Sequence, residues 1–253
     1  MKIVRIKSGD DIAYGIADTE GVQVYRGSPF VAWEPTESVV PWPKVQLLAP
    51  VIPTKVICVG KNYEDHAAEM GGEAPQSPLI FMKPATAVIG PDGSVVKPPA
   101  TSLLHHEAEL AVVISKVARH VKADDASQYI LGYTAANDVT ARDLQRSDGQ
   151  WTRAKGFDTF CPLGPAIETE LDPLERLAVI CRVNGEVRQA GFTSDMVFGV
   201  GAIMEYVTTV MTLLPGDVVL TGTPSGVSAV DVGDTMEVEI DGIGTLTNRV
   251  VAR

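Results

Sequence analysis

Short apolar runs of strand length dominate the chain beyond residue 54, and few helical patterns separate them. These runs are LIFM, AELAVVIS, YILGYTAAND, LAVICRVNG, DVVLTG and TMEVEIDG. Only three stretches favour helices: residues 63–70, a segment after Asp138, and residues 194–214, with Thr193 or Ser194 as the N-cap. Because strands and helices do not alternate regularly, the pattern predicts an α+β domain with a mixed sheet rather than a doubly wound fold.

The N-terminal segment has a different pattern. Its first 25 residues alternate apolar and polar side chains in KIVRI, AYGIA and GVQVY, which predicts short antiparallel strands. The stretch that follows contains Pro35, Pro41, Pro43, Pro50 and Pro53, and prolines so spaced disfavour long regular elements. We therefore predict a small N-terminal β domain at residues 1–50 and a main domain at residues 51–253.

Composition and charge limit the possible partners. With 45% hydrophobic and 21% charged residues the chain is typical of a folded globular protein. A net charge of −11 argues against binding to nucleic acid or to an anionic membrane, since both require a positive face.

Cys58, Cys161 and Cys181 are widely spaced and predict reduced core residues of a cytoplasmic protein. Charges inside the first apolar stretch lead us to expect no signal peptide, and Glu205 within residues 194–214 favours an amphipathic helix over a membrane span.

Two glutamates lie two residues apart in the run LLHHEAELAVVI. In a strand over residues 107–113, Glu107 and Glu109 share one face, while the other face is uniformly apolar. About 6–7 Å separates their Cα atoms, so the two carboxylates repel each other unless a cation neutralises them. Asp138, at the end of the next strand-like run, offers a third oxygen ligand. Oxygen ligands of this kind favour a hard divalent ion such as Mg²⁺.

Spacing alone leaves alternatives for this acidic cluster. An exposed strand face with two glutamates, and Asp138 as a helix cap, would produce the same pattern. His105 and His106 could indicate zinc, but HHExE lacks the HExxH spacing that places two histidines on one helical face. Magnesium is therefore favoured over zinc.

A second cluster lies in the segment GKNYEDHAAEMGG. His66 and Glu69 are three residues apart, so on a helix the carboxylate could orient the imidazole as a general base. The glycines that follow are typical of a loop that opens and closes. An ordinary solvated helix with a chance His/Glu pair is the alternative. Lys83, Arg142 and Lys155 lie outside charged runs and could bind an anionic substrate.

Seven segments occur in the order found in the fumarylacetoacetate hydrolase family, and the chain resembles that family over roughly residues 55–227. The segments are KVICVGKNYEDHAAEMG, PLIFMKPATAVIGP, LHHEAELAVVI, GYTAANDVTARDLQ, WTRAKGFDTFCPLGPAI, VNGEVRQAGFTSDMVF and LLPGDVVLTGTPSGV. The resemblance implies a mixed β-roll of the family's C-terminal domain type. The short N-terminal part, about 50 residues, differs from the longer N-terminal domain of the family's namesake. Fumarylacetoacetate itself is therefore not the expected substrate.

The resemblance also implies roles for individual residues. It implies Mg²⁺ or Mn²⁺ bound by Glu107, Glu109 and Asp138, a water-activating pair His66 and Glu69 on a lid, a catalytic Lys155, substrate-binding Arg142, Gln145 and Thr223, and Lys83 as a further substrate-binding candidate. Members of the family are usually homodimers or larger assemblies, so a homodimer is expected.

These features lead to a functional hypothesis with two rivals. The leading hypothesis is a Mg²⁺-dependent enzyme that cleaves a C–C bond in a small anionic 2-oxo acid, by hydrolysis of an acylpyruvate or decarboxylation of oxaloacetate. The first rival is an enzyme of aromatic catabolism, either a 2-hydroxyhepta-2,4-diene-1,7-dioate isomerase or a 5-oxopent-3-ene-1,2,5-tricarboxylate decarboxylase. The second rival is a noncatalytic acidic protein that binds a ligand or Ca²⁺.

Overall fold

The structure, a computed structural model, describes residues 1–253. Its strands are β1 (Lys2–Ser8), β2 (Asp11–Ala17), β3 (Gly21–Ser28), β4 (Ala32–Pro41), β5 (Gln46–Leu48), β6 (Val56–Gly60), β7 (Leu79–Lys83), β8 (Val88–Ile89), β9 (Ser94–Lys97), β10 (Leu104–His105), β11 (Ala108–Ile114), β12 (Ile130–Asn137), β13 (Thr140–Ala141), β14 (Cys161–Glu168), β15 (Ala178–Val183), β16 (Glu186–Phe192), β17 (Val218–Leu220), β18 (Ala229–Val230), β19 (Thr235–Ile240) and β20 (Gly244–Ala252). The α-helices are α1 (Glu64–Glu69), α2 (Arg142–Asp148), α3 (Thr152–Lys155) and α4 (Val200–Val210). Short 3-10 turns lie at Trp42–Lys44, Ala85–Ala87, Ala123–Tyr129 and Thr193–Asp195.

The strands form three sheets. The largest has 12 strands in the order β4-β3-β2-β1-β14-β12-β11-β17-β6-β7, with β5 beside β1 and β8 beside β14. A five-stranded sheet has the order β16-β15-β19-β20-β9, and a three-stranded sheet has the order β13-β10-β18. Most neighbours are antiparallel, but β6 and β17, β8 and β14, and β9 and β20 pair in parallel. The predicted α+β class with mixed sheets is confirmed.

Strand β11 lies in the middle of the large sheet and is buried on both faces. Leu110 and Val112 belong to a core that also contains residues of β15, β19 and α4. Ala111 and Val113, on the opposite face, pack with residues of β6, β14 and β17. The alternation read from the sequence is confirmed, and the acidic residues at the start of this strand belong to an element that is close-packed on both faces.

The proline-rich stretch forms more regular structure than predicted. Strand β4 contains Pro35 and ends at Pro41, yet it runs for ten residues. It is the outermost strand of the large sheet, where a residue without an N–H group can face solvent. The N-terminal strands continue the main sheet, because Ile3 of β1 pairs with Ile167 of β14.

The long helix begins later than predicted. Residues Thr193–Asp195 form a 3-10 turn, and α4 starts only at Val200 after the N-cap Gly199, so neither Thr193 nor Ser194 caps it. Asn62 holds the intervening chain in a non-helical path: its carbonyl accepts from Val197 N at 2.8 Å, and its Oδ1 accepts from Phe198 N at 2.8 Å. None of the helices combines the length and apolar composition needed to cross a membrane.

Candidate active site

The three predicted acidic ligands converge at one end of the central strands. Glu107 immediately precedes β11, Glu109 lies within it, and Asp138 immediately follows β12. Because β11 and β12 are antiparallel, the start of one strand lies beside the end of the other, and Asp138 N donates to the Glu107 carbonyl at 2.8 Å. One carboxylate oxygen of each residue lies within 4.8 Å of the others, and all three residues are buried. The exposed strand face that spacing left open is therefore excluded.

Cations neutralise only two of the three carboxylates. Lys155 Nζ donates to Glu107 at 2.8 Å and to Asp138 at 2.6 Å. Arg142 forms a second ion pair with Glu107, and Lys83 forms a second ion pair with Asp138. Glu109 has no cation partner.

The carboxylate of Glu109 receives one hydrogen bond, from Gly222 N at 2.6 Å. Its burial, together with the neighbouring carboxylates of Asp138 and Glu107, raises the pKa of Glu109 well above its ordinary value of 4.5. For Glu107 burial acts in the same direction, but the charges of Lys155 and Arg142 outweigh it and lower the pKa of Glu107. A buried carboxylate without a cation partner, next to two more oxygen ligands, fits a hard divalent cation.

The structure also brings together His66 and Glu69, the predicted general-base pair. His66 and Glu69 both lie on α1, and His66 Nδ1 is 3.1 Å from Glu69 Oε2. The second oxygen of Glu69 accepts a hydrogen bond from Gly226 N at 3.2 Å, which ties α1 to the loop after β17. His66 is buried, whereas 33% of the Glu69 side chain is exposed. The carboxylate therefore holds the imidazole ring in one orientation.

The acidic cluster and His66 open onto one cavity of about 180 Å³. Its polar lining consists of Lys61, His66, Glu107, Glu109, Asp138, Arg142, Gln145, Arg146, Lys155 and Thr223, and its apolar lining includes Val59, Met70, Phe81 and Trp151. The cavity therefore places acids, cations and a general-base candidate around a space of small-molecule size, with one apolar wall.

The predicted substrate-binding residues occupy two kinds of position. Arg142 lines the cavity and donates to Gln145 Oε1 at 2.5 Å, and its Nε is buried without a hydrogen-bond partner. Thr223 lines the same cavity. Lys83 is fully buried behind Asp138, donates to the Val139 carbonyl at 3.2 Å, and does not line the cavity. Substrate contact by Lys83 stays a prediction; its observed contact is with Asp138.

Sequence reasoning missed a residue that positions Thr223. Gln189 is buried, and its amide donates to Thr223 Oγ1 at 2.8 Å while its Oε1 accepts from Ala108 N at 3.0 Å. His106 Nδ1 is 3.0 Å from the same Oε1, and its Nε2 is 2.9 Å from Ser228 Oγ. His106 is thus directed away from the acidic cluster, which contains no histidine, and the zinc alternative has no support.

Two further sets of lining residues were not identified from the sequence. They are the cations Lys61 and Arg146 and the apolar residues Val59, Met70, Phe81 and Trp151. The segments GKNYEDHAAEMG and TARDLQR contain both cations next to predicted site residues. Their positions in the sequence, near His66 for Lys61 and next to Gln145 for Arg146, could have identified them as site residues.

Comparison with known proteins agrees with this geometry. The fumarylacetoacetate hydrolase C-terminal family matches residues 55–251, and a family described as Rv2993c-like, N-terminal, matches residues 1–50. Protein Rv2993c of Mycobacterium tuberculosis is 50% identical, with 100% of this chain and 99% of that protein covered. The human protein oxaloacetate tautomerase FAHD2B, mitochondrial, is 46% identical, with 84% of this chain and 72% of that protein covered.

Solved structures show the same fold. The crystal structure of 2-hydroxyhepta-2,4-diene-1,7-dioate isomerase from Mycobacterium marinum has a TM-score of 0.92 and 46% identity, and the match covers 100% of this chain and 99% of that chain. Fumarylpyruvate hydrolase from Pseudomonas aeruginosa, in complex with Mn²⁺ and pyruvate, has a TM-score of 0.75 and 33% identity. This match covers 86% of this chain and 93% of that chain. The family match over most of the chain and the shared fold lead to one conclusion: this chain belongs to the fumarylacetoacetate hydrolase family.

Proposed function

We propose that the protein is a divalent-metal-dependent enzyme that cleaves a C–C bond in small 2-oxo acids, by hydrolysis of an acylpyruvate or decarboxylation of oxaloacetate. One observation carries the proposal: the three acidic ligand candidates, Lys155 and His66 all line one cavity of about 180 Å³. A general base opposite a cluster of metal-ligand candidates is an arrangement suited to reactions of a polarised carbonyl compound.

The acidic cluster fits Mg²⁺ or Mn²⁺, and we assign Glu107, Glu109 and Asp138 as its ligands. The bound ion would supply Lewis acidity for the 2-oxo acid. Among the chain's own groups, the guanidinium of Arg142 lines the cavity and can bind a carboxylate oxygen. Gln145, which accepts from Arg142 at 2.5 Å, keeps the guanidinium in place.

In the proposed reaction His66 accepts a proton and Lys155 stabilises negative charge. His66, oriented by Glu69 at 3.1 Å, takes a proton from a water molecule that attacks the distal carbonyl. Lys155 is cationic: burial lowers its pKa, but attraction to Asp138 and Glu107 outweighs burial and raises the pKa above 10.5. A fixed positive charge beside the reacting carbonyl stabilises negative charge that develops on oxygen. Decarboxylation needs only this stabilisation, without the water.

A second candidate is an isomerase or tautomerase. The His66–Glu69 pair that would activate water can equally move a proton between carbon and oxygen of an enol, with no C–C cleavage. The full-length structural match to a 2-hydroxyhepta-2,4-diene-1,7-dioate isomerase and the 46% identity to an oxaloacetate tautomerase favour this alternative. The related tricarboxylate decarboxylase of aromatic catabolism would use the same residues.

A substrate panel separates these functions. Purified protein with Mg²⁺, with Mn²⁺ or with chelator is given acetylpyruvate, fumarylpyruvate, oxaloacetate and a 2-hydroxydienedioate. Pyruvate release supports the C–C cleaving enzyme, and loss of dienol or enol absorbance without cleavage supports the isomerase. Enzyme-free controls correct for decarboxylation of oxaloacetate by the free ion. Tight Ca²⁺ binding with no consumption of any 2-oxo acid would instead indicate the noncatalytic alternative.

We also propose a homodimer. Strand β7 is the last strand of the large sheet, and two of its apolar side chains are exposed, Leu79 at 41% and Met82 at 42%. An apolar edge strand is a site where chains associate unless something covers it. Light scattering during gel filtration measures the mass directly, and a monomer at micromolar concentration would contradict the proposal.

A further inference from the structure

The cavity contains two positive charges that the proposed chemistry does not use. Lys61 and Arg146 line the cavity, and neither forms an ion pair or a side-chain hydrogen bond. The other two cations of the cavity wall, Arg142 and Lys155, are both held by Glu107. In a chain with a net charge of −11, two unpaired cations at one small cavity form a local positive region.

The helix α2 places Arg146 farther out than Arg142. The two arginines are four residues apart, so they lie on the same helical face, about 6 Å apart along the axis. Arg142 is 1% exposed and lies at the inner end with Glu107, whereas Arg146 is exposed. The helix therefore presents one cation to each end of a short ligand.

Lys61 approaches the cavity from the other side. It directly follows β6 and has φ of 56°, a left-handed conformation that is unfavourable for a residue with a side chain. Its Nζ lies 3.3 Å from the position that a Cβ of Gly72 would occupy. The ammonium group is thus next to the segment that follows α1, on the side of the cavity where the predicted lid lies.

We propose that Lys61 and Arg146 form a second anion-binding position that selects 2-oxo acids whose far end is a carboxylate. The inference rests on the proposed function for the inner end, where the 2-oxo acid group would bind. An acylpyruvate with an uncharged acyl group has no second anionic group that can pair with these two cations, but a 2-oxo dicarboxylate does. Each charge-assisted hydrogen bond is expected to contribute about a 10- to 100-fold preference.

The test compares ligands that share the inner end and differ at the far end. For the unmodified protein, Lys61→Gln, Arg146→Gln and the double variant, the ratio of kcat/KM for fumarylpyruvate over acetylpyruvate is measured with Mg²⁺. We expect each single substitution to lower this ratio about 10-fold or more, and the double substitution to lower it further. Lys61→Arg and Arg146→Lys, which keep the charge, should keep most of the preference.

A binding experiment distinguishes failure of this inference from failure of the proposed function. Calorimetric titration with 2-oxoglutarate and with pyruvate, in the presence of Mg²⁺, measures the same ratio without turnover. A lowered ratio in a protein that converts no 2-oxo acid would support the anion position and contradict the proposed function. An unchanged ratio in an active protein would overturn the inference alone. Arg26→Gln, at an exposed cation of β3 without an ion pair, controls for net charge.

Discussion

Replacing Glu109 by Gln is expected to stabilise the metal-free protein at neutral pH while abolishing its response to metal. Glu109 is 2% exposed, has no cation partner, and accepts one hydrogen bond from Gly222 N. Its pKa is raised well above 4.5 by burial and by the carboxylates of Asp138 and Glu107. Between pH 4.5 and this raised pKa, the native metal-free protein keeps a proton on Glu109 that the unfolded chain releases.

The sign and size of the effect follow from this difference in bound protons. When the native state binds one proton more than the unfolded state, the free energy of unfolding falls by about 1.4 kcal/mol for each unit of rising pH. The loss begins near the ordinary pKa of 4.5 and continues up to the raised native pKa. Gln has the shape of the protonated acid but does not titrate, so the Glu109→Gln variant lacks this slope.

Thermal unfolding in chelator, measured at half-unit steps from pH 5 to 8, tests the reasoning. At each pH below the raised native pKa of Glu109, the Tm of the variant should rise relative to that of the unmodified protein by roughly 2–6 °C per pH unit, which corresponds to about 1.4 kcal/mol. Saturating Mg²⁺ should raise Tm only in the unmodified protein, by about 5–11 °C at 100 times Kd. Glu20→Gln, at an exposed glutamate without an ion pair, serves as the control. Parallel pH profiles for the two proteins would refute the protonated state of Glu109.

Three further substitutions test other parts of the site and fold. His66→Ala should lower the hydrolysis rate by about 100- to 10,000-fold but keep the rise in Tm that Mg²⁺ causes, because His66 is not a ligand candidate. Asp217→Asn should reduce the free energy of unfolding by about 2–3 kcal/mol, since this buried carboxylate accepts bonds from Thr54, Lys55 and Leu214. Gly222→Ala should reduce stability by about 1–3 kcal/mol and weaken metal binding, because φ at this residue is 100°.

Each of these expectations has an outcome that contradicts it. Loss of the Mg²⁺ response in His66→Ala, measured by calorimetry, would mean that the histidine contributes to the metal site. Denaturant unfolding of Asp217→Asn within 0.5 kcal/mol of the unmodified protein, about the effect of an ordinary surface change, would mean that its bonds contribute little. Unchanged metal affinity in Gly222→Ala would show that the added Cβ does not displace the backbone N–H of residue 222 from Glu109.

The parts of the fold that the sequence predicts correctly depend on local patterns. The alternation in β11 is visible within seven residues, and His66 and Glu69 are neighbours on any helix. The late start of α4 was not predictable in this way, because it depends on hydrogen bonds that Val197 N and Phe198 N donate to Asn62, which is more than 130 residues away in the chain. Strand β4 likewise tolerates prolines only because of its position at the edge of the sheet.

The residues of the site also differ in whether a local sequence pattern can predict their position. Glu107 and Glu109 share a strand face by local geometry, but Asp138 joins them only through the antiparallel register of β11 and β12. Gly222 N, which bonds Glu109, and Gln189, which bonds Thr223, come from segments far along the chain. No spacing rule places these groups together, so only the resemblance or the structure could do so.

The position of β1 has a consequence for how the chain is made. Strand β1 pairs with β2 along one edge, and its other edge is shared by β5, at Arg5 to Lys7, and β14, at Lys2 and Ile3. Strands β2 and β5 are synthesised within about 40 residues of β1, whereas β14 follows only about 160 residues later. The unit from β1 to β5 can therefore form on the ribosome as it emerges, and only the short stretch of β1 at Lys2 and Ile3 lacks a neighbour on that edge until β14 arrives. During that interval this short stretch is the part of β1 that another chain can join.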